Sequence, residues 1–346
     1  MENIKLGKVE IGENCKPFVI AEMSGNHNQS LQRALDIVKA AADAGAHALK
    51  LQTYTPDTMT VKGALTINDS NSLWNGRELY DLYNEAFTPW EWHKKIFDYA
   101  KELGMIAFST PFDETAVDFL EELGVEIYKI ASFENTDWPL LKKVAQTGKP
   151  VIMSIGAANL SDIDEAVRIL KNNGCKELVL LKCTSTYPST PENTNILTIP
   201  HMKQLFNCHV GLSDHTMGIG VAIGAVALGA CVVEKHFTLR REDGGVDSVF
   251  SIEPEELRNL VNESERAFLS LGKVHYGVLK AEEKNLTFKR SLFCVEDIKK
   301  GEIFTKSNVK VLRPGNGLLP KFYDIVLGKI ASQDIKAGTP ISWDNI

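Results

Sequence analysis

Between residue 18 and about residue 270 the chain alternates short apolar runs with amphipathic ones eight times, and few folds accept that rhythm. The apolar runs are Phe18–Glu22, Ala48–Gln52, Met105–Ser109, Ile127–Ala131, Val151–Ile155, Leu178–Cys183, Val210–Ser213 and Cys231–Lys235. Most are rich in Val, Ile and Leu, as strands buried on both faces are. Helical patterns lie between them: Ser30–Ala44, Trp90–Leu103, Glu114–Leu123, Trp138–Thr147, Ser161–Asn172 and the small-residue stretch Gly218–Gly229. Ser161-Asp-Ile-Asp164 looks like a helix opening, and Gly45 and Gly104 look like helix ends. Eight strand–helix units over roughly 250 residues predict a (β/α)₈ TIM barrel. A doubly wound open sheet should carry Gly-x-Gly-x-x-Gly after its first strand, and this chain has none there.

Two stretches depart from the alternation. Residues 53–89 form a long insertion after the second strand, which at a barrel mouth suggests a lid or a partner contact. After about residue 284 the pattern changes to short strands and turns: Ser291–Val295, Lys299–Gly301, Val309–Leu312, Pro314–Gly317 and Lys336–Gly338. We expect a catalytic barrel over residues 1–280 and a small β-rich domain over 281–346, docked on a barrel because so few residues make a thin core.

The charge of −7 argues against a nucleic-acid partner, since no broad basic face is available. No apolar stretch approaches the roughly 18 residues of a membrane helix, and the polar N-terminus lacks a signal-peptide core. Six cysteines without a Cys-x-x-Cys read as reduced thiols, so the expected compartment is the cytoplasm.

The chemistry concentrates where strands end. His209-Val-Gly-Leu-Ser-Asp-His215 and Ala230-Cys-Val-Val-Glu-Lys-His236 flank one helical stretch, so their strands should be parallel neighbours about 4.8 Å apart. Ser213 shares a strand face with His215, and Glu234 with His236. Two imidazoles so placed can hold one divalent metal with open positions, or serve as ordinary site histidines; spacing leaves both open. His47, at the other barrel end, and His93, on a helix, read as structural. The other strands finish in Glu22, Ser24 and His27; Lys50 and Gln52; Ser109 and Thr110; Lys129 and Ser132; Ser154; and Thr184 and Tyr187. Lys50 and Lys129 sit inside apolar runs, where an unpaired ammonium is costly, so a phosphate or carboxylate in the mouth is their expected counter-charge. Glu134 should face the same cavity, either paired with Lys129 or acting as an acid or base.

These blocks together resemble the sialic acid synthase family. The matching residues include Ala21–His27, Leu49–Gln52, Ser109–Phe112, Lys129–Ser132, Ser185–Pro188, Gly211–Thr216, Glu234–Thr238 and Arg313–Gly317. The likeness runs essentially the whole chain, including a tail similar to the antifreeze-like (SAF) domain. It implies an enzyme that condenses phosphoenolpyruvate with an N-acetylated amino sugar and releases phosphate. It further implies a divalent cation, Mn²⁺ or Mg²⁺, on His215 and His236, with Lys129 and Glu134 at the chemistry. By residue matching, Lys50, Thr110, Lys129, Ser132, Ser154, Thr184 and Ser213 would bind phosphoenolpyruvate. Glu22, Gln52, Tyr187 and Asp247 would grip the sugar, with Phe288 at the linker. Arg313 would come from the tail of a second subunit in a domain-swapped homodimer.

After the eighth strand many N-acetylneuraminate synthases read Gly-Pro-Asp-His-Lys-Ala-Ser, whereas this chain reads Gly245-Val-Asp-Ser-Val-Phe-Ser251. The more apolar Ser248, Val249 and Phe250 suit a sugar that has lost a hydroxyl and gained a second acetamido group. With Ser72-Leu-Trp74 and Asp81-Leu-Tyr83, they resemble the branch that makes pseudaminic acid from 2,4-diacetamido-2,4,6-trideoxy-β-L-altropyranose. Legionaminate or N-acetylneuraminate synthesis is the alternative. From other classes, a Schiff-base aldolase using Lys129 or Lys235 and a non-catalytic sugar-binding protein are the rivals.

Overall fold

The computed structural model describes residues 1–6, 9–70 and 72–346; Asn71 of the insertion lies outside the described residues. It divides into two compact units, Met1–Gly272 and Lys273–Ile346.

In the first unit eight parallel strands close into a barrel: β1 (Phe18–Glu22), β2 (Ala48–Thr53), β3 (Ile106–Pro111), β4 (Tyr128–Ile130), β5 (Val151–Ser154), β6 (Leu178–Cys183), β7 (His209–Asp214) and β8 (Val232–His236). Closure comes from β8 pairing with β1, His236 opposite Glu22. The outer ring is α1 (Leu31–Ala44), α2 (Trp90–Glu102), α3 (Glu114–Glu122), α4 (Trp138–Gln146), α5 (Leu160–Asn172), α6 (Thr198–Phe206), α7 (Gly220–Ala227) and α8 (Pro254–Leu271). Local chemistry sets the helix ends. Ser30 Oγ accepts from Arg33 N at 3.2 Å to open α1, and Gly45 at φ 90° closes it. The α5 cap is Asn159, whose side chain accepts from Ser161 N at 2.8 Å and Asp162 N at 3.1 Å, so the helix starts before the expected Ser161.

The period of two along each strand sorts the side chains into two populations. Phe18, Ile20, Phe108, Ile127, Ile152, Val179, Leu181 and Val232 fill the barrel interior, with Ile4 and Ile11 of two short antiparallel strands in the same cluster. Val19, Leu49, Leu51, Ile130, Met153, Leu180 and Val233 face the helices. The inner positions nearest the carboxyl ends are polar: Glu22, Lys50, Gln52, Thr110, Lys129, Ser154, Ser213, Glu234 and His236. Lys235 belongs to the opposite population. Its Nζ lies 2.8 Å from Asp214 Oδ2 and donates to Thr216 O at 2.7 Å, a fully buried pair that removes it as a mouth nucleophile.

In the second unit β9 (Ser291–Cys294) pairs antiparallel with β10 (Val309–Leu312), after helical turns over Lys280–Phe288. Leu292, Phe304, Val309, Val326, Ile335 and Ile341 give this unit a core of its own.

Candidate active site

Four charged side chains meet inside the mouth of the barrel, each almost fully buried. Lys50 Nζ lies 2.7 Å from Glu22 Oε2 and 3.7 Å from Glu234 Oε1; Lys129 Nζ lies 3.8 Å from the same Glu234 oxygen. Glu22 and Glu234 therefore supply the counter-charge that the sequence assigned to an outside anion. The hydroxyls fill in around them. Lys50 donates to Thr110 Oγ1 at 3.2 Å, Lys129 to Ser154 Oγ at 2.7 Å, and Ser213 to Glu234 at 3.2 Å. Burial pushes Glu22 up against the pull of Lys50. Burial would raise Glu234 too, but Lys129 and Lys50 outweigh it and hold that carboxyl below the ordinary range. Burial lowers Lys129. The result is a charge-balanced cluster whose contacts to Glu234 are loose.

Beside it stand the two histidines, ring centroids 5.3 Å apart. His215 Nδ1 lies 3.1 Å from the Thr184 carbonyl, an arrangement that directs the other ring nitrogen elsewhere. Nδ1 of His236 is buried with no hydrogen-bond partner, and 3.7 Å separates it from Asp247 Oδ2. Burial, then the neighbouring cations, hold His236 well below the usual histidine range, so the ring stays neutral. Tyr187 and Phe250 pack on this pair, Tyr187 at 4.5 Å from His215 and Phe250 at 4.9 Å from His236. Among the described residues no group of three or more His, Cys, Asp or Glu forms a closed metal cage. The donor set fits a divalent cation that takes two imidazoles and draws its other ligands from water and substrate.

The cavity above holds about 350 Å³, the lower end of the range for small-molecule sites. Ser24, Gln52, Ser132, Glu134, Tyr187, His236 and Asp247 line it from the strand ends. Gln52 donates to Glu22 Oε1 and to Ser24 Oγ, each at 3.0 Å, and Ser24 in turn donates to Asp247. Ser24 holds this position at φ 47°, uncommon for a non-glycine residue and frequent at functional sites. Ser132 Oγ accepts from Gly156 N at 3.1 Å. A Cβ on Gly156 would stand 2.1 Å from Ser185 Oγ and 2.7 Å from Ser132 Oγ, so any other residue there would displace both hydroxyls. Glu134 Oε2 is buried without a partner. Burial pushes this carboxyl up to about 7 against the pull of Lys129. The ion contact of Lys129 goes to Glu234 instead of Glu134.

The insertion roofs this cavity. Its Leu79–Ala86 helix supplies Leu79 and Leu82, and Trp74 reaches across to donate from Nε1 to Val246 O at 3.1 Å.

Of the residues expected from sequence, Glu22, Lys50, Gln52, Thr110, Lys129, Ser132, Glu134, Ser154, Tyr187, Ser213, His215, His236 and Asp247 all lie at the barrel mouth or in its lining. Thr184 is nearby but donates to Asn193 O at 3.1 Å. Phe288 and Arg313 belong to the Lys273–Ile346 unit and are exposed on it. Ser248 donates to Gly245 O at 3.2 Å, and Val249 is exposed outside the cavity lining, so this pair is not the apolar wall expected of it. Glu234 and Ser24 were not singled out from sequence as site residues. Glu234 was detectable, because it shares a strand face with His236. His47 accepts from Val19 N at 3.0 Å and His93 contacts Thr53 Oγ1 at 2.8 Å, both away from this mouth.

Comparison with known proteins agrees with this architecture. The NeuB family model matches residues 37–276 and the SAF domain model residues 289–346. The chain is 45% identical over 326 residues to the pseudaminic acid synthase of Campylobacter jejuni, covering 93% of this chain and 94% of that protein. It is 41% identical to the pseudaminic acid synthase of Helicobacter pylori, over 95% of this chain and 98% of that one. The crystal structure of N-acetylneuraminic acid synthetase from Leptospira borgpetersenii superposes with TM-score 0.75 at 34% identity, covering 82% of this chain and 95% of that chain. A barrel of this order, with a charged strand-end ring and a SAF domain after it, makes this chain a member of the NeuB family.

Proposed function

We propose that the protein condenses phosphoenolpyruvate with 2,4-diacetamido-2,4,6-trideoxy-β-L-altropyranose and water, giving pseudaminic acid and phosphate. One observation carries this reading: buried lysines amid hydroxyls, an anion receptor, open at the same mouth as the His215–His236 imidazole pair and the partnerless Glu134. The pseudaminic acid synthases at 41% and 45% identity support the choice of sugar.

Phosphoenolpyruvate lies with its phosphate and carboxylate against Lys50 and Lys129, assisted by Thr110, Ser132, Ser154, Thr184 and Ser213. Because the lysine contacts to Glu234 are 3.7 and 3.8 Å long, an arriving anion draws on cations already present and buries no new ones. Glu22, Gln52, Tyr187 and Asp247 orient the open-chain sugar. A divalent cation, Mn²⁺ or Mg²⁺, held by His215 and His236 would supply Lewis-acid polarisation of the aldehyde oxygen. The π electrons of phosphoenolpyruvate form the bond from its carbon 3 to the aldehyde carbon, leaving an oxocarbenium-like carbon 2. Water adds at carbon 2, and Glu134 as carboxylate takes the proton that this water loses. Glu134 returns that proton to the new alkoxide, and the carbon 2 hydroxyl collapses to the ketone, its proton leaving with the phosphate as the C–O bond breaks. A reducing cytoplasm suits the six free cysteines, five of them buried.

The same proposal makes the protein a homodimer with swapped tails, in which Phe288 and Arg313 of one subunit complete the sugar site of the other. The connector supports it: Val274 is 88% and Tyr276 97% exposed, two large apolar side chains left uncovered by their own chain. Mixing inactive Arg313→Ala with inactive His236→Ala is expected to restore part of the activity, because some mixed dimers hold one intact composite site. No recovery after verified subunit exchange contradicts the shared site.

A phosphate-release screen tests the function. Phosphoenolpyruvate and Mn²⁺ are offered with the trideoxy diacetamido sugar, its legionaminate-type stereoisomer and N-acetylmannosamine. The first is expected to give the highest kcat/KM. Higher turnover with either of the others would reassign the sugar.

A further inference from the structure

The mouth cavity has walls of two kinds. The strand ends line it with hydroxyl, amide, carboxylate and imidazole groups, whereas the insertion lines it with Met59, Ile67, Trp74, Leu79 and Leu82, beside Tyr54 and Tyr83. The only N–H donor on those five side chains, Trp74 Nε1, is already spent on Val246 O. The indole ring is held further by Tyr187, with centroids 5.9 Å apart. Met59, Ile67, Leu79 and Leu82 therefore offer a patch without an N–H or O–H donor, and the hydroxyl-bearing Tyr54 and Tyr83 stand beside it in the same lining. The loop after β8 contributes less to it: Val246 lines the cavity, but Val249 is exposed outside the lining, and Phe250 is buried against the rings of His236 and Tyr187.

Position decides which end of a sugar meets the apolar wall. The reacting carbonyl belongs beside the imidazoles on β7 and β8. The insertion leaves the barrel from β2, separated from β8 by β1 alone, which by strand spacing is about 10 Å. An amino sugar with its substituents spans that distance, so its far end reaches the insertion.

We infer that the insertion is the specificity element for the deoxygenated end of the sugar, seating its C6 methyl against Met59, Ile67, Leu79 and Leu82. A 6-hydroxyl placed against those four side chains would give up water without gaining a hydrogen-bond donor from them. This rests on reading the site as a phosphoenolpyruvate–amino sugar synthase. An apolar pocket rejects an added hydroxyl only moderately, so the expected preference for the 6-deoxy sugar over its 6-hydroxy counterpart is about 10²-fold in kcat/KM.

The test is that ratio, measured with both sugars for the wild type, Met59→Gln, Ile67→Thr, the double variant and Met59→Leu. Gln is close in size to Met, Thr keeps the β-branch of Ile with one heavy atom fewer, and both positions are only partly buried, so folding should survive. The ratio cancels any general loss of active enzyme. Each polar variant is expected to lower it several-fold and the double variant to bring it below about tenfold, with Met59→Leu unchanged. Polar variants that keep the wild-type ratio overturn the inference while leaving the function standing. A wild type that releases phosphate with neither sugar removes the function and the inference together.

Discussion

His236→Ala is expected to lower kcat/KM by about 10³-fold or more and to abolish the response to added Mn²⁺, and His215→Ala to do the same. Lewis-acid assistance is worth several kcal/mol of barrier, which corresponds to a loss of that size. The two rings are 5.3 Å apart, so either alone is a poor site. The environment of His236 also argues for a ligand over a general base: burial and nearby cations keep the ring neutral, with Nδ1 unpartnered. Removing it leaves Tyr187 and Phe250 in place, so the barrel should stay folded. Calorimetric titration with Mn²⁺ gives a readout separate from turnover: saturable binding in the wild type and none in either variant. Full activity of chelator-treated wild type would contradict the metal assignment.

Glu134→Gln is expected to separate activity from stability. Turnover should fall by about 10²- to 10⁴-fold, the usual contribution of a positioned acid–base group, while phosphoenolpyruvate still binds. The pH dependence follows from the carboxyl held up to about 7. Acting as a base, it must be ionised, so wild-type kcat/KM should climb as pH rises through about 7, and the variant should lack that limb. Stability runs the other way. Because the folded-state value lies above the ordinary 4.5, the folded protein binds the extra proton. Stability from this group is fully present below 4.5 and is lost as pH rises through about 7. Glutamine cannot ionise, so the variant should match the wild type near pH 4.5 and exceed it at pH 8, by at most about 3 kcal/mol. Thermal melts at both pH values check the second half. Wild-type turnover in the variant would remove Glu134 from the mechanism.

Much of the fold was legible because strand period and helix period alternate without interruption over the barrel. β1 and β6 have the bounds that their apolar runs predict. β4 is shorter than predicted, since the chain turns at Ser132 to carry Glu134 into the mouth. The ring of polar strand ends was legible for the same reason: a side chain two residues beyond a core position shares its face. What single strands could not reveal was the pairing among ends. Glu22, Lys50, Lys129 and Glu234 come from four separate strands, and Glu22 meets Glu234 only because β8 closes on β1. Without that closure the lysines looked unpaired. The insertion was read as a lid or a partner contact, and it does roof the cavity, but no helix was expected in it. Yet Leu79, Leu82, Tyr83 and Ala86 recur at helical spacing, and all four line the cavity. The apolar wall was sought in Ser248, Val249 and Phe250 because they replace the His-Lys-Ala of N-acetylneuraminate synthases; Phe250 is buried beside the imidazoles, but the 3₁₀ turn sends Val249 outward.

The proposed route, condensation from carbon 3 of phosphoenolpyruvate with C–O cleavage at carbon 2, is tested with substrate labelled with ¹⁸O at the bridging oxygen. The enzyme is incubated with the trideoxy diacetamido sugar and Mn²⁺, and phosphate and product are weighed by mass spectrometry. The account predicts a nine-carbon keto acid without label and phosphate carrying one ¹⁸O, because water attacks carbon 2 and the C–O bond breaks. Label retained in the keto acid, with unlabelled phosphate, would mean P–O cleavage and contradict it.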